Sequence, residues 1–299
     1  MYILGGVNLS VNGNFSTFCS NLDMSSDTIS TIQYRYRQIT KRINTDYRDS
    51  SSEKDYSWYV GSYGRGTEIW TSDIDMLVQL PYATYEKFND YSLNGQSALL
   101  QEVRTVLQKT YSTSHVKGDG QVIGIDFKDG INFEIVPAFV NTDGSFTYPD
   151  SNNGGSWKTT NPKKEISALN ARNSETNRNL KRLCRMMRSW KGQCYVPISG
   201  ILIDTLAYNF INTWEYKDKS YLYYDYMSRD FFLYLKDMDK EKQYWLAPGS
   251  GKRVYKSGNF QTKAAAAYNN ALDAIAYESK GMPVSAKNKW RDIYGSKFS

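Results

Sequence analysis

Apolar residues recur at spacings of three and four over residues 27–47, with Ile32, Ile39 and Ile43 on one stripe. An α-helix turns once every 3.6 residues, so this pattern predicts a long amphipathic helix, with a cap supplied by the Ser-Ser-Asp sequence at 25–27. The same spacing predicts further helices at 99–111, 163–173, 179–191, 201–211 and 263–280.

Shorter apolar runs predict β-strands in the first half of the chain. Two such runs lie at about 57–61 and 72–80. Two more, at 122–127 and 131–139, flank Lys128-Asp129-Gly130. An Asp-Gly turn between two apolar runs is typical of a β-hairpin.

A polar stretch rich in Asn, Gly and Ser at 142–162 interrupts these patterns. Such a composition indicates a domain boundary or a functional loop. Strands precede this stretch and helices dominate after it. We therefore predict an α+β fold with two domains, a mixed core of helices and strands with a long N-terminal helix at 1–162 and a helical C-terminal lobe at 163–299.

The composition narrows the chemistry without choosing a ligand. The chain has 299 residues, 40% of them hydrophobic, which is enough for a large core. Its net charge of +6 favours anionic partners, and nucleotides, RNA, DNA and acidic membranes all qualify. Three cysteines without a CxxC pair and a single histidine, His115, make a zinc site or a disulfide framework improbable. No signal peptide or membrane-spanning run is evident, so we expect cytoplasmic residence without a membrane partner.

The segment YVGSYGRGTEIWTSDIDMLVQL carries the strongest chemical signal. An apolar pair leads into Gly61-Ser62, ten residues intervene, and Asp73 and Asp75 then appear within an apolar run. Side chains alternate along a strand, so both carboxylates face one way while Ile74 points into the core. Two such charges about 4 Å apart repel by about 4 kcal/mol at an effective dielectric near 20. The pattern predicts a phosphate cradle followed by a Mg²⁺ site.

Glu134, in the apolar run FEIVPAF, is the candidate third carboxylate. Three acids on adjacent strands could hold two divalent cations for an in-line displacement at phosphorus. Taken singly, each signal has a plainer explanation: Gly-Ser can be a turn, Asp-x-Asp a capping pair, and Glu134 a partner of Arg65 or Lys128. Their order and spacing together favour phosphate chemistry.

The pattern of Gly61-Ser62, the paired aspartates and a later strand carboxylate resembles the DNA polymerase β-like nucleotidyltransferase superfamily. More closely, the chain resembles the bacterial cGAS/DncV-like nucleotidyltransferases, or CD-NTases. The resemblance covers residues 25–299 and includes the segments GSYGRGT, SDIDMLVQLP, EIVPAF, GGSWKTTNPKKEI, TNRNLKRLCRMMRSWK, VPISGILIDTLAYNF and KWRDIYGSKF. It implies a palm-like mixed sheet with helices, a helical C-terminal lobe, and an active site in the cleft between them.

The resemblance also implies roles for individual residues. Asp73, Asp75 and Glu134 would be the catalytic acids and the ligands of two Mg²⁺ ions, for which Mn²⁺ may substitute. The expected nucleotide contacts are Gly61, Ser62, Tyr63, Lys181, Arg188 and Ser199. Two of these positions depart from the commoner pattern. Arg188 stands where related enzymes often have Lys, and Glu134 stands where Asp is commoner.

Members of this family condense nucleoside triphosphates into cyclic di- or trinucleotides, which activate a downstream effector protein in anti-phage defence. The resemblance thus implies nucleoside triphosphates as substrates and an effector as partner. We favour a purine-containing cyclic dinucleotide. No DNA activator is expected, because the zinc-bearing insertion of the animal DNA sensor has no counterpart. Template-independent RNA tailing or nucleotidylation of a protein on the same fold remains the alternative.

Overall fold

The computed structural model describes residues 7–69 and 73–299, with side chains from Val11 onward. The helices are α1 Val7–Asn21, α2 Ser26–Arg48, α3 Gly61–Arg65, α4 Tyr82–Asn89, α5 Gly95–Gln108, α6 Pro162–Glu175, α7 Asn179–Cys194, α8 Gly200–Thr213, α9 Tyr224–Lys236, α10 Gln261–Ser279 and α11 Pro283–Tyr294. The strands are β1 Ser57–Tyr59, β2 Asp73–Gln79, β3 His115–Asp119, β4 Val122–Asp126, β5 Asn132–Val140, β6 Phe146–Asp150, β7 Ser156–Thr160, β8 Tyr244–Leu246 and β9 Arg253–Tyr255.

The chain folds as two compact units. The sheet unit contains Met24–Arg65 and the segment that ends at Ile166. The helical unit contains the chain up to Asp23, the short segment Gly66–Ile69, and Ser167–Ser299. The observed division thus falls four residues after the predicted boundary, and two N-terminal pieces join the helical unit.

The sheet unit is built on a mixed sheet with strand order β1-β2-β5-β4-β3, to which β6 and then β7 are added beside β5. Strands β2 and β5 run parallel, and the other described pairs are antiparallel. The predicted hairpin of β4 and β5 is confirmed, with Gly130 in its turn at φ +77°. Only glycine adopts this backbone conformation without a steric cost.

Helix α2 confirms the long amphipathic helix predicted at 27–47. The Ser25 side chain caps it by accepting a hydrogen bond from the Thr28 backbone N–H at 3.1 Å. Ile32, Ile39 and Ile43 are buried along one stripe, as their spacing predicted. They belong to the core of the sheet unit, together with Ile74 and Met76 of β2 and other buried aliphatic side chains.

The helical unit has its own core, in which aromatic side chains are prominent. Trp190 of α7 packs edge-on against Phe232 of α9 at a centroid distance of 5.1 Å. From the N-terminal helix α1, Phe15 and Phe18 reach Phe298 at 5.1 and 5.2 Å. Helices predicted at 163–173, 179–191, 201–211 and 263–280 are confirmed as α6, α7, α8 and α10. Within the described residues, no helix has the length and apolar content needed to span a membrane.

The predicted loop at 142–162 is wrong. Strands β6 and β7 lie in this stretch and form an antiparallel hairpin on the sheet. The run Asn152-Asn153-Gly154-Gly155 belongs to the turn of that hairpin, where Asn153, Gly154 and Gly155 all have positive φ. Positive φ favours these residue types, so a composition that looked like a loop marks a tight reversal instead.

Candidate functional site

The predicted acids meet across two neighbouring parallel strands. Asp75 of β2 lies directly opposite Glu134 of β5, and Asp73 lies opposite Asn132. Ile74, on the other face of β2, is fully buried. Because side chains alternate along strands, Asp73, Asp75 and Glu134 share one face of the sheet. The Asn132 amide donates to Asp73 Oδ1 at 3.4 Å. The prediction that the strand of Glu134 pairs beside the aspartate strand is confirmed.

Burial and mutual repulsion disfavour negative charge at this face. Burial raises the pKa of Asp75, and Asp73 raises it further, although the Arg65 guanidinium works in the opposite direction. Burial also raises the pKa of Glu134, as do Asp75 and Asp73. Arg65 itself is buried and lies 3.8 Å from Glu165. The charged forms of Asp75 and Glu134 are thus disfavoured at this face, a cost that a bound cation relieves.

Gly61 connects the predicted phosphate cradle to the acids. Its φ is +58°, and a Cβ added there would lie 1.8 Å from Asp75 Oδ2. The Val60 backbone N–H donates to the Asp75 carbonyl at 2.9 Å, which fixes this junction. Any side chain at position 61 would collide with the Asp75 carboxylate and adopt a disfavoured backbone conformation. Glycine is therefore required where the chain turns from β1 into α3.

Ser62 and Tyr63 follow in α3, and both are half-buried. The Tyr63 ring packs against Tyr59 at a centroid distance of 4.8 Å, and Tyr59 in turn stacks on Tyr36 at 4.1 Å. Tyr63 is therefore part of an aromatic cluster at the edge of the core. The structure supports a packing role for its ring and leaves Ser62 as the polar side chain of the cradle.

The chemistry of these acids suits Mg²⁺. Carboxylate oxygens are hard ligands, and Mg²⁺ usually takes one or two of them and completes its shell with water and substrate phosphates. Among the described residues, no group of three or more His, Cys, Asp or Glu side chains converges closely enough to hold a metal ion by itself. Asp75 and Glu134 lie opposite each other, with Asp73 beside them. This arrangement fits a Mg²⁺ ion that takes only some of its ligands from the protein and the rest from the nucleotide and water.

In the helical unit, Arg188 has a different environment from the one predicted. It forms a two-pronged ion pair with the buried Asp204, at 2.6 and 2.9 Å. The same two terminal nitrogens also donate to the carbonyls of Cys184 and Gly200, at 3.3 and 3.1 Å. All four of their N–H bonds are therefore used. As the structure stands, the Arg188 guanidinium joins α7 to α8 and has no terminal N–H left for a phosphate.

The remaining predicted contacts also lie in the helical unit. Ser199 is the N-cap of α8, where its side-chain oxygen accepts from the Leu202 backbone N–H at 3.3 Å. Its hydroxyl hydrogen is not used by this bond. Lys181 donates to Asn170 Oδ1 at 2.6 Å, and burial lowers its pKa. Arg188, Ser199 and Lys181 are described only within the helical unit. Their contacts with a nucleotide therefore stay predictions.

The segment Gly66–Ile69 contributes side chains that the sequence analysis did not single out. Thr67 Oγ1 donates to Asp204 Oδ2 at 3.0 Å, and Glu68 pairs with Arg185 at 3.4 Å. Both Thr67 and Glu68 are buried. The sequence held one signal of this network, a lone aspartate in the apolar helix GILIDTLAYNF, because a buried charge requires a partner.

Comparison with known proteins identifies a matching family model and a curated relative. Residues 9–173 match the model of the Second Messenger Oligonucleotide or Dinucleotide Synthetase domain, SMODS. A probable cyclic nucleotide synthase of Bacillus cereus is 25% identical over 178 residues, which are 56% of this chain and 51% of that protein. The chain thus spans about half the length of this curated relative.

Solved structures extend the similarity to nearly the whole chain. The Escherichia coli MS115-1 CdnC:HORMA-deltaN complex has a TM-score of 0.68 at 14% identity, with 96% of this chain and 98% of that chain covered. The Bradyrhizobium diazoefficiens CD-NTase CdnG in complex with GTP has a TM-score of 0.63 at 11% identity, with 96% and 95% covered. At these identities the likeness shows the fold.

The mixed sheet with its acid-bearing strand pair and the accompanying helices define the α+β fold of the polymerase β-like nucleotidyltransferases. Since the SMODS model matches more than half of its residues, the chain belongs to the Second Messenger Oligonucleotide or Dinucleotide Synthetase family, the bacterial CD-NTases.

Proposed function

We propose that this protein is a Mg²⁺-dependent nucleotidyltransferase that joins nucleoside triphosphates into a purine-containing cyclic dinucleotide and releases pyrophosphate. The observation that carries the proposal is the register of Asp75 with Glu134 on adjacent parallel strands, with the Gly61 backbone against the Asp75 carboxylate. Membership of the synthetase family and the GTP bound to a protein of the same fold support it.

One group of residues binds the donor triphosphate, and another would bind the divalent cations. The Ser62 hydroxyl donates to the donor triphosphate, and Gly61 keeps the backbone close to the acids. Asp73, Asp75 and Glu134 would hold two Mg²⁺ ions. Bound Mg²⁺ would neutralise charge at the reacting phosphate and favour ionisation of the attacking ribose hydroxyl. Most of the rate comes from this positioning and from fixed electrostatics.

Ring closure repeats the same displacement within one molecule. The linear intermediate turns around in the site and presents its remaining ribose hydroxyl to its own other α-phosphate, expelling a second pyrophosphate. The product would act on a downstream effector protein in anti-phage defence, and the enzyme would work in the cytoplasm without a DNA activator. The rival activities, RNA tailing and protein nucleotidylation, use the same acids with a different acceptor.

The test incubates the purified chain with each labelled triphosphate, alone and in pairs, with Mg²⁺ or Mn²⁺. We expect a phosphatase-resistant product that forms without RNA and disappears on chelation. Asp73→Asn combined with Asp75→Asn should abolish it while the protein stays folded. The matched control, Asp27→Asn combined with Asp90→Asn, removes two exposed carboxylates of the same unit and should retain activity. Label that appears only on added RNA or on protein would favour the rival activities, and turnover by the double Asp73/Asp75 variant would overturn the assignment.

A further inference from the structure

The helical unit contains a basic cavity of about 270 Å³. It lies where the end of α1 meets α6 and the first turns of α7. Its wall carries four basic side chains and one acidic one. The lining residues are Cys19, Ser20, Leu22, Asp23, Asn173, Arg178, Lys181, Arg182, Arg185 and Tyr221.

Three of these four cations have no carboxylate partner among the described residues. Arg185 is paired, with Asp23 at 2.8 Å and Glu68 at 3.4 Å. Lys181 donates to the neutral Asn170 amide. Arg182 donates to a backbone carbonyl and to Tyr224 Oη, both at 3.3 Å. Arg178, at the mouth, is exposed and has no ion-pair partner within the described chain.

The cavity also contains unused hydrogen-bonding capacity. The Arg185 Nε–H is buried and lacks a partner in the described part of the chain. An unsatisfied buried donor costs about 1–3 kcal/mol, so such groups usually indicate an absent ligand or solvent. Burial and the neighbouring Arg185 charge together lower the pKa of Lys181. Crowded, half-buried cations of this kind are stabilised when an anion binds between them.

The size and wall chemistry indicate which anion fits. The cavity equals the liquid volume of roughly nine water molecules, which exceeds the needs of a single phosphate group. Planar guanidinium groups match phosphate oxygens in paired hydrogen bonds. Arg182 also lies 4.8 Å from the centroid of the Tyr221 ring, so the wall offers a flat apolar surface beside its charges.

We propose that this cavity is a binding site for a small anion bearing a di- or triphosphate group. Arg178, Lys181 and Arg182 bind the phosphate oxygens, and the charge of Arg185 adds to the positive potential of the wall. The shared chemistry can come from free pyrophosphate or from a nucleotide. Lys181 is also one of the nucleotide contacts that the family resemblance implies, whereas Arg178, Arg182 and the cavity itself are assigned from the helical unit alone.

Isothermal titration calorimetry tests the site on the full chain carrying Asp73→Asn and Asp75→Asn, with EDTA present, so that turnover contributes nothing. The probes are inorganic phosphate, pyrophosphate and ATP. Two further substitutions target the cavity and leave the side-chain hydrogen bonds of Lys181, Arg182 and Arg185 in place. Arg178→Gln removes a cation from the mouth, and Ser20→Glu places a carboxylate at an exposed lining position.

We expect pyrophosphate to bind and each cavity substitution to weaken binding by about tenfold, the effect of one neighbouring charge. Ser279→Glu is the matched control. Ser20 and Ser279 are both exposed helical serines whose hydroxyl donates to an earlier backbone carbonyl, that of Ser16 for Ser20 and of Ala276 for Ser279, but Ser279 lies in α10 and outside the cavity wall. Only the binding that Arg178→Gln and Ser20→Glu weaken reports on the cavity. If those substitutions weaken ATP binding more than pyrophosphate binding, a nucleotide is the ligand, and equal weakening identifies the diphosphate group. Absence of binding, or titrations unchanged by both cavity substitutions, would overturn the proposal.

Discussion

Gly61→Ala is the sharpest test of the contact between the cradle and the acids. Gly61 has a left-handed backbone, with φ +58°. A Cβ added at this position would lie 1.8 Å from Asp75 Oδ2. The substitution therefore adds backbone strain and a collision. The Asp75 carboxylate has to move before the alanine methyl can be accommodated.

The chain contains a position that separates these two effects. Gly130 has a similar left-handed backbone, φ +77°, but a Cβ there would meet nothing within 4 Å. Gly130→Ala should therefore cost only the backbone strain, about 1–2 kcal/mol. Gly61→Ala should cost that amount plus about 1–3 kcal/mol for overpacking against Asp75. Displacement of the carboxylate by about 1 Å should also reduce turnover roughly 100-fold.

The assays are chemical unfolding of both variants and product formation from nucleoside triphosphates. We expect Gly61→Ala to unfold more readily than Gly130→Ala and to lose activity, while Gly130→Ala stays active. A double-mutant cycle with Asp75→Ala should show coupling, because removing the carboxyl group removes the two closest contacts. Equal stability and equal turnover of the two glycine variants would refute the close approach of position 61 to Asp75.

Three further outcomes follow from the structure. Asp204→Asn should lower the free energy of unfolding in urea by about 3–5 kcal/mol by leaving the buried Arg188 charge uncompensated, and an unchanged midpoint would contradict the pairing. Burial raises the pKa of Asp225 to about 6. Between about pH 4 and pH 6 the folded chain therefore keeps this proton while the unfolded chain loses it, so the free energy of unfolding falls as the pH rises through this range. Unfolding at several pH values should show a decrease of about 3 kcal/mol that Asp225→Asn lacks, and parallel profiles would contradict it. Mg²⁺ should raise the thermal midpoint of the wild-type chain and leave that of the Asp73→Asn, Asp75→Asn variant unchanged, whereas an equal rise in both would place the ion elsewhere.

Local sequence patterns predicted the elements whose stability depends on nearby residues. Helix α2 has a regular apolar stripe and a serine cap, and the β4–β5 hairpin has an Asp-Gly turn. Helix α1 was not predicted, because Gly13 and several polar residues weaken its pattern. Its burial depends on Phe15 and Phe18 contacting Phe298, almost 300 positions along the chain. No local pattern records a partner that distant.

The candidate site likewise contains residues that the sequence pattern placed and one, Arg188, whose contacts it did not predict. The alternation of a strand was enough to place Asp73 and Asp75 on one face, and the apolar context of Glu134 indicated a neighbouring strand. Arg188 shows the limit of this reasoning. Its spacing on α7 is compatible with phosphate binding, but its contacts depend on Asp204, which only the packing of α8 brings within 2.6 Å. Tertiary structure decides whether this arginine binds a carboxylate or a phosphate.

The short segment Gly66–Ile69 belongs to the helical unit although the residues before it, from Met24 to Arg65, belong to the sheet unit. The chain therefore enters the helical unit three separate times. A gene fragment ending at residue 166 would carry α1 and these four residues without the helices they pack on, and the complementary fragment would lack both pieces. We expect neither half to be stable when expressed alone, and exchange of one half between relatives by a single recombination event should succeed only where these inserted pieces are compatible.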